Sequence, residues 1–467
     1  MTIMELRILP PFAIGRLGAS ETPLENYDLV LDDKDALGFR RIQGADTLRV
    51  DRKTGEIKEC YQPKRVRFRD AGSIRPVAPF LEVFARTADD TLEPLTLALL
   101  EKHDLTPSSL KWRVEVGNLK IFRRTTVAKD RIEAKAEFSD HRAHPLEGRC
   151  ANFFDGKTLP LGFVQYIKPT KAFPEIRLRF TPAGGWVYGS STKRKQVDHF
   201  NKVVEVDDPI IPLDRVLYDP NKGKWRGFDD SKTPVPEQTN PAAIYAGYID
   251  PDSQDQISWG YLDDECDGIV TVTLAIARKT LTAFARIAAG PPTFAPDSVP
   301  IRTVADELDQ VLLGDKVDAA TVTLAEAEEI VRRAIESVRL MNTAVMNGNT
   351  VEGRINAAST MVRQDSGDFS RYFQPIMTPT SVDNRALLEL HQNILAALRS
   401  GTGAWFAQAL RQPHEIGDLS DAGRRKMPAM MRGADGRLLT LTRRQIDTIV
   451  QNALGTMFSA PKHGHRP

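Results

Sequence analysis

The chain has 467 residues, which is more than one hydrophobic core usually covers, so two domains or one large composite domain are expected. Its 63 basic and 62 acidic residues leave a formal charge of +1, which gives no global electrostatic reason to expect DNA, RNA or an anionic membrane as a partner. No stretch approaches the roughly 20 apolar residues that a membrane helix needs.

The N-terminal residues and the cysteines indicate a cellular compartment. The opening segment MTIMELRILPPFAIGR places an acid among apolar residues and has no cationic region before a long apolar run, so it does not resemble a signal peptide. Cys60, Cys150 and Cys266 are an odd number spread over a long chain, which argues against a disulfide framework and for a reducing compartment. We therefore expect a soluble, cytoplasmic protein.

Residues 1–300 are predicted to form a β-rich, mostly antiparallel domain, because short runs of strand length recur between turn residues such as Asp155-Gly156. The stretch from about 189 to 240 contains many prolines and no sustained period, and we expect a long irregular excursion over the surface there. The strand-like runs lie at 65–69, 80–86, 111–116, 131–138, 161–167 and 175–180.

The hydrophobic period changes at about residue 300, and residues 301–467 are predicted to be a helical region. Thr323 with Glu326, and Thr442 with Gln445, form capping-box patterns ahead of amphipathic runs. The fold class is therefore α+β, with a β-rich N-terminal two-thirds and a helical C-terminal third. The predicted helices run from Thr323 to Gly348, from about Ser381 to Ser400, and from Thr442 to about Gly455.

Four carboxylates crowd five positions at Asp263, Asp264, Glu265 and Asp267. If they converged, they would raise some of their own pKa values or bind a cation, which makes them candidate metal ligands. The competing interpretation is a solvated β-turn in which Gly268 supplies a permissive backbone, and we favour it.

Two other segments contain residue types that bind metals. His141 and His144, with Cys150 shortly after, could bind zinc, but Pro145 and Gly148 indicate a loop and no second ligand pair follows at zinc-finger spacing. The segment DPDSQD at 250–255 resembles the start of a calcium loop without its glycine and its final glutamate. Polar turns are favoured for both segments. Motifs of P-loop, α/β-hydrolase, zincin and c-type haem proteins are absent from the sequence.

Five blocks occur in a fixed order along the chain: PFAIGRLGAS at 11–20, PKRVRFRD at 63–70, WGYLDDECDGIVTVTL at 259–274, AGPPTFAP at 289–296 and KMPAMMRGADGRLLTLTRRQ at 426–445. Together they resemble the lysine ε-oxidase and glycine oxidase family of amino-acid oxidases, whose cofactor, cysteine tryptophylquinone, is made from their own Cys and Trp side chains. The matching positions, which the resemblance implies are architectural, are Asp263-Asp264, Asp267-Gly268, Pro291-Pro292, Met427-Pro428 and Thr440 to Arg443.

The sequence departs from the family at the cofactor. In the family, the Cys and Trp that form the quinone follow the last block, whereas this sequence ends about 22 residues after Gln445. Trp405 is the only tryptophan beyond residue 300 and no cysteine follows Cys266, so no cofactor is expected unless a partner chain supplies the quinone. A nonstandard cross-link between Trp259 and Cys266 is the alternative, since a hairpin could bring the two side chains together.

Three functions follow from these observations, and whether the chain is an enzyme stays open. The first is a noncatalytic binding or scaffold protein whose partner is another protein or a peptide, without nucleic acid or membrane. The second is a subunit of a split amine or amino-acid oxidase that produces peroxide and ammonia, with the quinone on another chain. The third and least favoured is a metal-dependent enzyme using the carboxylates of 263–267 or the His141/His144 loop.

Overall fold

A computed structural model gives the structure of the chain, and it divides into two compact units. The first comprises Met1–Asp28 and Gln43–Phe294, and the second comprises Leu29–Ile42 and Ala295–Pro467. The structure describes residues 2–31, 40–190, 194–197, 203–206, 211–223, 225, 247–249, 256–258, 261–276, 279–293, 295–337, 393, 396–400, 410–415, 418, 420, 426, 428 and 440–458.

The strands lie between residues 3 and 290, in agreement with the α+β prediction. In chain order they are β1 (Ile3–Leu9), β2 (Phe12–Arg16), β3 (Tyr27–Leu31), β4 (Arg40–Gly44), β5 (Thr47–Val50), β6 (Ile57–Tyr61), β7 (Arg69–Asp70), β8 (Ser73–Ile74), β9 (Phe80–Thr87), β10 (Leu92–Pro94), β11 (Leu110–Asn118), β12 (Ile132–Phe138), β13 (Ala143–Gly148), β14 (Leu159–Tyr166), β15 (Arg177–Thr181), β16 (Val187–Gly189), β17 (Arg194–Val197), β18 (Val203–Val206), β19 (Gly247–Ile249), β20 (Gln256–Ser258), β21 (Tyr261–Asp263), β22 (Cys266–Ile276) and β23 (Lys279–Gly290).

Two large sheets organise the first unit. A six-stranded sheet has the order β1-β9-β15-β14-β13, with β10 also paired to β9, and a five-stranded sheet has the order β12-β11-β22-β23-β2. Their pairs are antiparallel except for β2 with β23, which is parallel. Alternate residues of β11 and β12 are buried, as the two-residue period of a strand requires, and both sheets contribute to one hydrophobic core.

The sequence predictions for the strands are confirmed in five of six runs, which correspond to β9, β11, β12, β14 and β15. The prediction for 65–69 is wrong, because only Arg69 of that run lies in a strand. The backbone N–H of Arg67 donates to the Glu25 carboxylate at 2.7 Å and joins no strand ladder. The alternation of basic and apolar residues therefore predicted a strand at 65–69, but the Glu25 side chain holds the backbone of this segment instead.

The described helices of the first unit are short, namely α1 (Leu97–Glu101) and α2 (Lys120–Thr125), while the second unit includes α3 (Val304–Leu313), α4 (Leu324–Glu336) and α5 (Arg443–Phe458) among its described residues. Both predicted capping boxes are confirmed. The Thr323 N–H donates to the Glu326 carboxylate at 2.9 Å, and the Thr442 N–H donates to the side-chain oxygen of Gln445 at 2.8 Å. The helix α3, which begins after a Thr303–Asp306 capping box, is an addition to the predicted set.

The second unit has its own core, in which α4 and α5 bury Ala327, Val331, Ala334, Ile446 and Ile449. The predicted end of the first helix at Gly348 lies outside the described residues. Of the helix predicted from 381 to 400 the structure describes 393 and 396–400, and all of these except Ser400 are helical. Within the described part of the chain, no helix is both long enough and apolar enough to cross a membrane.

Candidate functional site

The acidic run at 263–267 lies where β21 passes into β22, beside the β16 strand that pairs with β21. Asp263 is 2% exposed and Asp264 is 0% exposed. The interpretation of the run as a solvated turn is therefore wrong for these two residues. Only Asp267 points to solvent, and Glu265 is half-buried. In the pair of β16 and β21, Val187 lies opposite Asp263, so the acidic run lies beside β16.

A lysine neutralises part of this run. The Lys120 ammonium, at the start of α2, forms ion pairs with the carboxylates of Asp263 and Glu265. The Asn118 side-chain amide donates to the backbone oxygens of Asp263 and Glu265 at 3.0 and 2.9 Å. An ammonium group therefore lies where a metal between these carboxylates would lie. Among the described residues, no group of three or more His, Cys, Asp or Glu side chains is arranged to hold a metal ion.

Asp264 has a different environment from its neighbour. One carboxylate oxygen, Oδ2, accepts hydrogen bonds from the backbone N–H groups of Gly185 and Trp186 at 3.1 and 3.0 Å. The other, Oδ1, is buried and makes no hydrogen bond within the described part of the chain. Burial, with the nearby charge of Asp263 adding to it, raises the pKa of Asp264 to about 7, against the two N–H groups that favour the ionised form. A carboxyl group with this pKa can exchange a proton near neutral pH.

The cysteine of this segment is inert. Cys266 is 5% exposed, and its thiol donates to the backbone oxygen of Leu161 at 3.6 Å. Burial raises the pKa of the Cys266 thiol to about 12, so the nucleophilic thiolate is scarce at neutral pH. Trp259 lies outside the described residues, and the cross-link between Trp259 and Cys266 stays a prediction.

The side chains of His141 and His144 do not converge on a metal site. His144 Nε2 lies 2.7 Å from Asp140 Oδ1, and the His144 ring stacks on Phe138 with centroids 4.2 Å apart. His141 Nδ1 instead lies 3.2 Å from the backbone oxygen of Tyr166. Burial lowers the pKa of His141 and raises that of Cys150 to about 11. Both histidines are therefore engaged by other groups of the protein. The interpretation of this segment as a polar loop is wrong for His144, which lies in β13 and pairs with Val164 of β14. The calcium-like segment 250–255 lies outside the described residues.

A buried carboxylate that sequence reasoning missed anchors part of the predicted excursion. Asp130 is 0% exposed and accepts hydrogen bonds from Tyr218 Oη at 2.6 Å, Asn152 Nδ2 at 2.8 Å and Thr125 Oγ1 at 2.6 Å. Tyr218 and the neighbouring Trp225 are both fully buried. The described residues at 211–225 are therefore tied into the core, and nothing in the local sequence of Asp130 indicated this partnership.

An apolar strip on α3 is exposed. Leu308 is 53% exposed, Val311 78% and Leu312 76%. These residues recur at helical spacing, and no residue of α3 is buried. We call Leu308, Val311 and Leu312 the α3 strip. Sequence analysis missed it because α3 itself was not predicted.

No family model matches the sequence, and no curated protein matches it. Solved structures of L-Lys ε-oxidase from Marinomonas mediterranea are similar, at 14% identity and TM-scores of 0.46 and 0.47. One of them contains the Schiff-base intermediate with L-Lys. The alignments cover 96% of this chain and 61% of those chains, so this chain spans less than two-thirds of the length of the structures that it matches.

Proposed function

We propose that the chain is a noncatalytic or partner-dependent relative of the quinone-containing amino-acid oxidases and acts as a binding or scaffold protein for another polypeptide. The observation that carries this proposal is the α3 strip. Single exposed apolar residues are common, but these three lie within five consecutive residues of one helix and form a contiguous surface about 6 Å long along the helix axis. Contiguous exposed apolar surface is typical of protein interfaces, and for this reason the proposed partner is a polypeptide.

The acidic run supports a structural role over a catalytic one. Asp263 and Glu265 form ion pairs with Lys120. The Asp264 carboxylate accepts hydrogen bonds from the backbone N–H groups of Gly185 and Trp186 and so fixes the backbone there. These three carboxylates therefore interact with groups of the protein itself. The three cysteines are free, which favours a reducing compartment, and we propose the cytoplasm.

The proposal is tested by charging the α3 strip. Leu312→Glu should weaken binding of a polypeptide partner, whereas Leu213→Glu, at a residue with 77% exposure in the other unit, is the matched control. Partners are isolated from source cells with the wild-type chain, then purified and titrated against all three proteins. Burial of a leucine is worth about 1.5–3 kcal/mol, so Leu312→Glu should weaken the reconstituted complex by about tenfold or more. Equal affinities of the two variants, or no complex from purified components, would contradict the proposal.

A second candidate function is a subunit of a split amino-acid oxidase whose quinone lies on another chain. The pKa of Asp264 near neutrality favours it, since a carboxyl group with such a pKa can act as the general base that removes a proton from a substrate. In this candidate, a companion chain carrying Cys and Trp restores peroxide production from an amino acid, and Asp264→Asn abolishes it. Absence of peroxide with the copurifying companion present would rule this candidate out.

A further inference from the structure

A polar surface occupies the outer face of the six-stranded sheet. In the antiparallel pair of β14 and β15, Phe163 lies opposite Thr181, and Gln165 lies opposite Arg179. Directly opposed residues share one face of a sheet, and residues two apart along a strand share it as well. The intervening pair, Val164 with Phe180, is fully buried in the core. Arg179 and Thr181 therefore lie side by side on the face away from the core.

The turn after β5 covers this face, with a cavity beneath it. Gln165 Nε2 donates to the backbone oxygens of Asp51 and Arg52 at 2.8 and 3.1 Å, which fixes the turn over the sheet. The Arg52 guanidinium carbon then lies 4.3 Å from the centre of the Phe163 ring. The cavity under the turn is partly open, measures about 200 Å³, and is lined by Arg52, Arg179 and Thr181 among others.

Two buried polar atoms at the cavity, on Arg179 and Thr181, have no hydrogen-bond partner among the described residues, whereas Arg52 is exposed. Within the described residues, neither Arg52 nor Arg179 has a carboxylate partner, and Arg179 Nε is buried without a hydrogen-bond acceptor. Thr181 is 4% exposed, and its hydroxyl group also lacks a partner there. Buried donors without acceptors cost about 1–3 kcal/mol each, and more when they are charged. The site as it stands therefore favours a ligand that brings acceptor oxygens.

Other charged groups around the cavity do not supply that compensation. Arg49 is already paired with Glu59 at 3.0 Å. Tyr61 donates its hydroxyl to Glu25 at 3.4 Å, and Glu21 lies on the exposed rim. Burial, together with the charge of Arg52, lowers the pKa of Arg179 to about 10, which is the shift expected where a second cation lies nearby without an anion between them.

We infer that this cavity binds a small oxyanion, a carboxylate or phosphate group, held by the guanidinium groups of Arg52 and Arg179 and by the hydroxyl group of Thr181. The planar guanidinium fork matches the oxygens of both anions. The volume of about 200 Å³ lies below the roughly 300–1,000 Å³ of sites for drug-sized ligands, so the ligand is a small metabolite or the end of a larger one. This inference is independent of the α3 strip and of any oxidase activity.

The inference is tested by calorimetric titration of the full chain with succinate and, separately, with inorganic phosphate, at constant ionic strength set with sodium chloride. We expect one of the two anions to bind at one site per chain, which identifies the chemistry of the ligand. Arg179→Met should weaken this binding by about tenfold or more, and Thr181→Val by about threefold to tenfold. Arg149→Met should leave it unchanged, because Arg149 has a side chain with 69% exposure and pairs with Glu147 at the surface.

Thermal unfolding separates binding from folding. Without anion, Arg179→Met should unfold at no lower temperature than the wild type, because it removes a buried charge that lacks a partner. With anion, the wild type and Arg149→Met should gain stability while Arg179→Met does not. No binding of either anion at 10 mM, or equal weakening in Arg149→Met and Arg179→Met, would overturn the inference. If Arg179→Met does not fold, Thr181→Val and Arg52→Met give the same comparison.

Discussion

Replacing Asp264 by asparagine should make the protein less sensitive to pH. The Asp264 carboxyl is protonated in both the folded and the unfolded chain below pH 3.8, and there it contributes no pH dependence. As the pH rises from 3.8 towards the folded value of about 7, the unfolded chain releases its proton first, and the folded state loses about 1.4 kcal/mol per pH unit. Between pH 5 and pH 8 the wild type should therefore lose about 2.5 kcal/mol relative to Asp264→Asn.

Urea unfolding at pH 5 and pH 8, followed by tryptophan fluorescence, measures this difference. Asp267→Asn is the matched control, because Asp267 lies on the same segment and is exposed. Its free energy of unfolding should follow that of the wild type at both pH values. The reasoning is refuted if the free-energy difference between the wild type and Asp264→Asn is the same at pH 5 and at pH 8.

Three further outcomes are expected. Lys120→Met should destabilise the protein by about 2 kcal/mol, because it leaves the 3% exposed side chain of Asp263 without its cation. The loss should be smaller than that of a fully buried ion pair, because the lysine side chain is 26% exposed. Tyr218→Phe should cost about 1–2 kcal/mol, because it removes the hydrogen bond to the buried Asp130 carboxylate. Of the three thiols, Cys60 should react rapidly with a disulfide reagent in the native protein, since Cys60 is exposed, Cys150 is half-buried and Cys266 is buried.

Each of these outcomes can be contradicted by experiment. Lys111→Met removes an exposed lysine one strand earlier and should change the free energy of unfolding by less than about 0.5 kcal/mol. Equal losses for Lys111→Met and Lys120→Met would show that the ion pairs are not stabilising. A Tyr218→Phe variant as stable as the wild type would contradict the anchoring role of Asp130. Rapid reaction of Cys266 would show that the acidic segment opens in solution.

Local patterns predicted much of the fold because short-range physics determines those elements. The Thr323–Glu326 capping box fixes the start of α4 through hydrogen bonds three residues apart. The alternating run at 131–138 became β12 because its apolar residues all face one core. By contrast, the run at 65–69 has the same alternation, but a glutamate about forty residues earlier in the chain binds its backbone. Pairing over that separation leaves no local signal.

The sequence indicated the position of the candidate site at 263–267, but it did not predict the groups that surround the carboxylates. Crowded carboxylates at 263–267 suggested solvent or a metal, whereas Asp263 is paired with Lys120 and one oxygen of Asp264 accepts from backbone N–H groups more than 70 residues away in the chain. The arginine cavity shows the same limit. Arg179 and Thr181 alternate with core residues on β15, but the register with β14 and the turn at Arg52 come from tertiary pairing.

The central proposal is that this chain works through a polypeptide partner, with any quinone on another chain. The most direct test is the absorption spectrum and intact mass of the purified chain, together with peroxide production from lysine and glycine. We expect no visible quinone band, the mass of an unmodified chain, and no peroxide in the absence of a companion. A visible band, with a mass decrease that reports a Cys–Trp cross-link and peroxide from either amino acid, would contradict the account.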